Sequence, residues 1–340
     1  MKKQMSYYME RIVEEYDFPG KFNLYSKLTP EFEHIYNEVY SKHPQHEKYR
    51  KIINIKRNSR SKLIIYMIVI GIILFLLSLI FTYFISYEIG EILITVSIII
   101  PSFIIICNKN KGYTDEKDIK NYLQYYKNSF LPDMINNVNN NLIYENINNT
   151  QMFEKYKDAD FEYKNIGCEW IEDYIHGNVY NENYIEIVNL SVYSHIDAHS
   201  SFRCFRGVFA ISELNKNINC FIKLMLNKAL ISEGDPKINL DSTKFEEYFD
   251  VYTDDNILTM RILTADIMEM LVDFYKKYQI KFEVYLKNSK LYFRFFIGDC
   301  FEPTIYKEHE KYKLYKDYSI LKLCTDLSKK FIELIDNMEI

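Results

Sequence analysis

The sequence predicts an α+β fold: a two-helix transmembrane hairpin joined to a cytoplasmic domain of antiparallel strands packed with helices. Three observations carry this expectation. The run LIIYMIVIGIILFLLSLIFTYFISY, Leu63 to Tyr87, has no charged residue over 25 positions, and at about 1.5 Å per residue it exceeds the roughly 30 Å hydrocarbon thickness of a bilayer. A second apolar run, Ile92 to Cys107, follows after only Glu88, Ile89, Gly90 and Glu91. From about residue 160 onward, period-two alternation is interleaved with helical periodicity.

Taken in order, the chain first offers LTPEFEHIYNEVY. Thr29 is placed to cap a helix, Pro30 suits its first position, and Glu31 and Glu33 favour its positive end. That helix is expected to reach about Tyr40, with His43, Pro44 and His46 interrupting before a second one begins. Residues 1–62 read as an N-terminal cytoplasmic helical segment, 63–107 as the hairpin and 108–340 as the α+β domain. Basic residues Arg50, Lys51, Lys56, Arg57, Arg60 and Lys62 precede the hairpin and Lys109 and Lys111 follow it. The positive-inside rule then puts both termini on the cytoplasmic side of an inner membrane.

After the hairpin, DEKDIKNYLQYYKNSFLPDMINNV predicts a helix with Ile119, Leu123, Tyr126, Phe130 and Ile135 near one face. The Asn-rich patch 136–149 reads as a loop. NYIEIVNLSVYSHI sets Ile185, Ile187 and Asn189 against Tyr184, Glu186 and Val188, and FRCFRGVFAIS follows, so two strands joined by a polar turn are expected. LTADIMEMLVDFYKKY places Thr264 as a cap and Ile267, Leu271, Phe274 and Tyr278 at helical spacing. KFEVYLKNSKLYFRFFI predicts a hairpin turning at Asn288 and Ser289, and a final helix buries Ile320, Leu323, Leu327 and Phe331.

Charge is divided unevenly. Residues 1–62 hold 13 Lys and Arg against 8 Asp and Glu, whereas 108–340 hold 29 against 37. An acidic domain argues against nucleic acid as a partner, because phosphate contacts need a basic surface. The bilayer is the expected partner, with a protein or small ligand at its cytoplasmic face. Six Cys without a CxxC suit a reducing compartment and structural thiols, Cys107 alone standing at a membrane boundary.

STKFEEYFDVYTDDNILTMRILTADIMEML followed by NSKLYFRF resembles the bacterial domain of unknown function 3137 family, and EDYIHGNV (172–179) and FRGVFAISELNK (205–216) are similar to its other landmarks. A membrane hairpin near residues 60–110 belongs to the same resemblance, which extends over about three quarters of the chain. It implies an anchor and a domain, and it assigns no catalytic residue.

Reactive constellations are sparse. An EF-hand loop counted from Asp250 has Asp255 at its sixth position and Arg261 at its twelfth, so it fails; Asp254, Asp255 and Asn256 read as a turn or cap, with Arg261 pairing a nearby acid. HIDAHSSFRC offers His195, His199 and Cys204 as weak metal candidates beside Asp197. Strand geometry sets the two His about 13 Å apart, so no metal is assigned. No Gly-x-Ser-x-Gly, phosphate loop or dinucleotide fingerprint occurs, and no cofactor is expected. Glu172 and Asp173 are adjacent, with no acid placed near them. The expectation is a membrane-anchored binding or interaction module. A membrane-tethered enzyme, with His176, His195, His199 and Cys204 tested first, is the alternative; an oligomeric transporter or channel subunit is the third.

Overall fold

The computed structural model describes residues 28–84, 95, 113–156, 166–180, 183–195, 201–218, 220–226, 237–298, 300–303 and 307–337. The chain forms two compact units, Met1–Val39 with Leu131–Ile340, and Tyr40–Phe130.

The larger unit is built on one nine-stranded antiparallel sheet. Its strands are β1 (Leu142–Asn148), β2 (Ile166–Tyr180), β3 (Asn183–His195), β4 (Ser201–Glu213), β5 (Ile222–Leu226), β6 (Lys237–Ile238), β7 (Phe249–Thr253), β8 (Lys281–Lys287) and β9 (Lys290–Phe296), in the order β1-β2-β3-β4-β9-β8-β5-β7-β6. The β8–β9 hairpin lies at its middle. Asn288 and Ser289 both take positive φ, 51° and 60°, as a two-residue hairpin turn of the favoured twist requires. Phe282, Val284, Phe293 and Phe295 point to one face and are buried there. At about 1.5–3 kcal/mol for each such side chain, this hairpin is a large part of the core.

That face is covered by helices. Of these, α1 (Pro30–Lys42) has its Phe32 amide donating to the Thr29 hydroxyl at 3.3 Å, the cap the sequence expects. In α7 (Ala265–Tyr278), Ile267, Leu271, Phe274 and Tyr278 are all buried, and Phe274 meets Phe282 edge-on at 5.4 Å. Thr264 stands at the cap position of α7 without a side-chain cap bond. The long α8 (Lys307–Asn337) buries Ile320, Leu323, Leu327 and Phe331. Phe32 of α1 packs on Tyr315 and Tyr318 of α8 at 4.9 and 5.3 Å. The shorter helices are α4 (Leu131–Val138), α5 (Thr243–Glu246) and α6 (Asn256–Ile262).

The opposite face carries a second core in which Val188, Leu190, Val192, Phe205, Phe209, Tyr285 and Tyr292 meet Phe153 and Tyr156 from a 3-10 segment, Thr150–Tyr156. Glu283 and Arg294 are cross-strand neighbours on this face and pair at 2.7 Å, both nearly fully buried. The Tyr285 hydroxyl donates to Glu283 at 2.9 Å, and Arg294 lies 4.3 Å from the Tyr285 ring centroid.

The smaller unit contains α2 (Pro44–Phe84), α3 (Tyr113–Tyr125) and a π-helical turn, Tyr126–Phe130. His46 is buried and stacks on Phe130 at 4.2 Å, with Tyr122 and Tyr126 beside it. The Tyr40 hydroxyl donates to Glu47 at 2.8 Å, and Glu47 also pairs with Arg50. Arg50 is 2% exposed. One member of the basic cluster at 50–62 is therefore a core ion-pair group and not part of a charged surface.

The structure corrects the expected two-helix transmembrane hairpin. Among the described residues no helix is long and apolar enough to cross a membrane. The first apolar run is the C-terminal part of the 41-residue α2, which starts well before it in a charged stretch, so the run does not form a helix of its own. Its side chains at Ile65, Tyr66, Ile72 and Leu76 are more than half exposed. The second run, Cys107 included, lies outside the described residues but for Thr95, as does Glu88. The bilayer partner, the inner-membrane location with cytoplasmic termini and the channel reading all rested on that hairpin and are withdrawn with it. The α+β, antiparallel part of the expectation stands. The Asn-rich patch is a loop only in part, since α4 ends at Val138 and β1 begins at Leu142.

Gly207 on β4 has φ 153°, and a Cβ there would run into the Phe295 carbonyl oxygen on β9. Gly207→Ala should therefore destabilise the protein by at least about 2 kcal/mol, read from the urea midpoint. An unchanged midpoint would show that this close approach of strands is not needed.

Candidate functional site

Strand alternation and register set a group of polar side chains on one face of the sheet. His176 on β2 is the cross-strand partner of Ile143 and of Glu186, and Asn178 is that of Tyr184. Residues two apart share a face. Glu145, Tyr174, His176, Tyr184 and Glu186 therefore project together. Ile211 opposes Glu186, and Glu213 opposes Lys290, which continues the same face across β4 and β9.

The 3-10 segment brings Lys155 and Tyr156 over these strands. The Tyr156 hydroxyl donates to Glu186 at 3.0 Å, and Lys155 lies 3.5 Å from the other Glu186 oxygen. Lys290 pairs with Glu213 at 3.2 Å. Between them is an open cleft of about 330 Å³, with Tyr184 and Ile211 completing its lining. Burial and the Glu186 carboxylate hold the Tyr156 phenol well above its ordinary pKa, and burial with the Tyr184 and Glu186 contacts does the same to Tyr174. Both stay protonated donors at neutral pH.

Beside the cleft runs a hydrogen-bonded chain. His176 Nε2 is 3.2 Å from Glu145, its Nδ1 is 2.5 Å from the Tyr184 hydroxyl, and its ring stacks on Tyr174 at 4.6 Å. The tautomer that fits donates Nε2–H to the carboxylate and accepts the tyrosine proton at Nδ1. Such a chain orients a phenol and can relay a proton.

The residues singled out from sequence are not brought together. His195 ends β3, exposed, with its ring against Tyr193 at 4.8 Å. Cys204 is buried in the second core, its thiol donating to the Val192 carbonyl at 3.5 Å and pushed up to about 12 by burial. His199 and Asp197 lie outside the described residues. Burial also raises Cys168 and Cys220 to about 11 and lifts Cys300 and Cys324. None of these thiols is poised as a nucleophile. Asp255 caps α6 by accepting from the Leu258 amide at 2.9 Å, and Asp254 accepts from the Phe221 amide at 2.7 Å, so the acidic pair is a structural turn. Asp250 pairs with Lys237. Arg261 is exposed and forms no ion pair among the described residues, contrary to expectation.

Glu172 and Asp173 acquire a third acid, Glu302, with carboxylate oxygens of the three within 4.8 Å of one another. Asp173 is buried with φ 58°, at a register shift of β2, and accepts from the Tyr144 hydroxyl at 2.6 Å. Oxygen ligands of this kind suit a hard divalent cation, but a carboxylate cluster alone does not define a site. Alternation in YIEI exposed the polar row at Tyr184 and Glu186; nothing local pointed to Tyr156, Glu213 or Lys290 as its partners.

The family described as "Protein of unknown function (DUF3137)" matches residues 203–332. No curated protein matches the chain. Among solved structures, the crystal structure of the mycobacterial trehalose monomycolate transport factor A, TtfA, is similar at 8% identity, with a TM-score of 0.33 over 56% of this chain and 88% of that one. A likeness that low carries no argument about this protein.

Two outcomes test the site's chemistry. Tyr156→Phe leaves the ring and removes a donor to a carboxylate, and should cost about 1.5–3 kcal/mol in denaturant unfolding. Peptide mapping after iodoacetamide treatment of the native protein at pH 8 should show Cys168 reacting roughly 100-fold more slowly than a free thiol, following its smaller thiolate fraction. Rapid labelling would reopen a cysteine nucleophile.

Proposed function

We propose that the sheet-centred unit is a binding module whose cleft over β3, β4 and β9 seats a small zwitterion of dipeptide size. The observation that carries this reading is the wall chemistry. Two ammoniums, Lys155 and Lys290, and two carboxylates, Glu186 and Glu213, surround about 330 Å³ with the Tyr156 and Tyr184 rings between them. Exposed Lys–Glu pairs are worth only about 0–1 kcal/mol. A ligand bearing both charges exchanges one weak pair for two contacts at small cost. The raised thiols and the self-satisfied charges support binding over covalent chemistry.

A second reading, an enzyme of unassigned reaction, has one observation in its favour, the Glu145–His176–Tyr184 chain. It predicts turnover by the purified protein that is lost on His176→Ala.

Calorimetric titration with alanyl-alanine should give saturable binding, and the doubly capped, uncharged dipeptide should bind at least tenfold more weakly. Glu186→Gln combined with Lys290→Gln should abolish the difference, while Ile257→Ser, at an exposed site on α6, leaves it intact. Equal binding of the charged and capped forms would overturn the zwitterion reading, and turnover abolished by His176→Ala would replace it with the enzyme.

A further inference from the structure

A separate cleft of about 240 Å³ opens where the start of α1 meets α7 and α8. Its floor is apolar, from Met270, Phe274 and Leu323 with the rings of Tyr278 and Tyr318. Three carboxylates line it, Glu31, Asp273 and Asp326, against two ammoniums, Lys277 and Lys322. Both ammoniums are engaged. Lys322 lies 3.3 Å from Glu31 and 3.7 Å from Asp326, and Lys277 donates to the Tyr315 hydroxyl at 2.7 Å with its charge over the Tyr278 and Tyr315 rings. Asp273, exposed on α7, forms no ion pair among the described residues. The charge left over is negative.

A second observation is independent of that count. Tyr318 is 4% exposed; its buried hydroxyl faces the Glu31 carboxylate, and its oxygen accepts no hydrogen bond among the described residues. A buried acceptor left unpaired is costly and uncommon in native proteins, and an occupant of the cleft that donates a hydrogen bond would satisfy it. Aromatic faces over an acidic rim are also the surroundings that attract an organic cation.

We propose that this cleft binds a small organic cation, an ammonium carried on an apolar body, with Asp273 and Asp326 facing the charge, the Tyr318 oxygen accepting from it and Phe274 and Leu323 holding the body. The site is distinct from the sheet cleft, so either can fail without the other. Burial, with the nearby Glu31 carboxylate, raises the Asp326 pKa above the ordinary carboxylate value, whereas Lys322 and Lys329 oppose the shift. Below that raised pKa the carboxylate is neutral and its attraction for the cation is gone. Binding should therefore weaken as pH falls, at a higher pH than an ordinary aspartate would give, in a site whose other charged groups are Glu31, Asp273, Lys277 and Lys322, with Lys329 nearby.

The test is calorimetry on the full chain with phenethylammonium chloride, with 2-phenylethanol as the neutral isostere and phenylacetate as the anion. Phenethylammonium should bind saturably, at least tenfold more tightly than 2-phenylethanol, with phenylacetate weaker still. Asp326→Asn should weaken it at least tenfold and remove the early pH dependence. Tyr318→Phe should weaken it several-fold. Should the buried-side variants fail to fold, Asp273→Asn, at an exposed position, must still weaken binding. No saturable heat with phenethylammonium, preference for phenylacetate or 2-phenylethanol, or binding indifferent to Asp273→Asn and Asp326→Asn would each overturn the proposal.

Discussion

The pairing of Glu283 with Arg294 across the β8–β9 hairpin is the constraint on which the rest of the sheet depends. These strands are central in the sheet order, with β4 adding to one side and β5 to the other. A charge pair this deeply buried is tolerated only in one register, because a slip of one residue between the strands would turn one of the two groups to the opposite face and leave each without its partner. The Tyr285 hydroxyl and ring complete the arrangement from the same face. Whatever its net contribution to stability, it selects the pairing that the outer strands then follow.

From that register comes the division of the molecule's chemistry. One face of the sheet is given over to Phe282, Phe293 and Phe295 under the helices. The other mixes aromatic residues with buried polar groups, and toward β1 it emerges as the row of Glu145, His176, Tyr184 and Glu186. The two clefts have different origins. One follows from strands that carry alternating Lys, Glu and Tyr beneath a short 3-10 segment. The other arises where the start of α1 meets the C-terminal half of α7 and the middle of α8, with a tyrosine and several carboxylates around an apolar floor.

Much of this was legible residue by residue. Thr29 and Pro30 begin α1, Asn288 and Ser289 make the hairpin turn, and the apolar stripes of α7 and α8 are buried as their spacing implied. Those signals are local. Strands β1, β2 and β5 were not delimited, because β1 lies in an Asn-rich stretch, β2 is broken by register shifts at Glu172–Ile175, and β5 is buried at all five positions and shows no alternation. The apolar run from Leu63 misled for a related reason: hydropathy sees the run but not that its helix begins in a charged stretch at Pro44.

The sequence by itself determined the start of α1 at Thr29 and Pro30, the inward faces of α7 and α8 and the turn and alternation of the β8–β9 hairpin, because propensity and periodicity act over a few residues. Only the tertiary structure decided which inward faces meet. Glu302 joins Glu172 and Asp173, Lys290 closes the cleft opened by Tyr156, and Glu31 lines a cavity with Asp326 from nearly the other end of the chain. Such meetings depend on strand order and register, which are settled by packing over long chain separations, and no spacing within a segment records them.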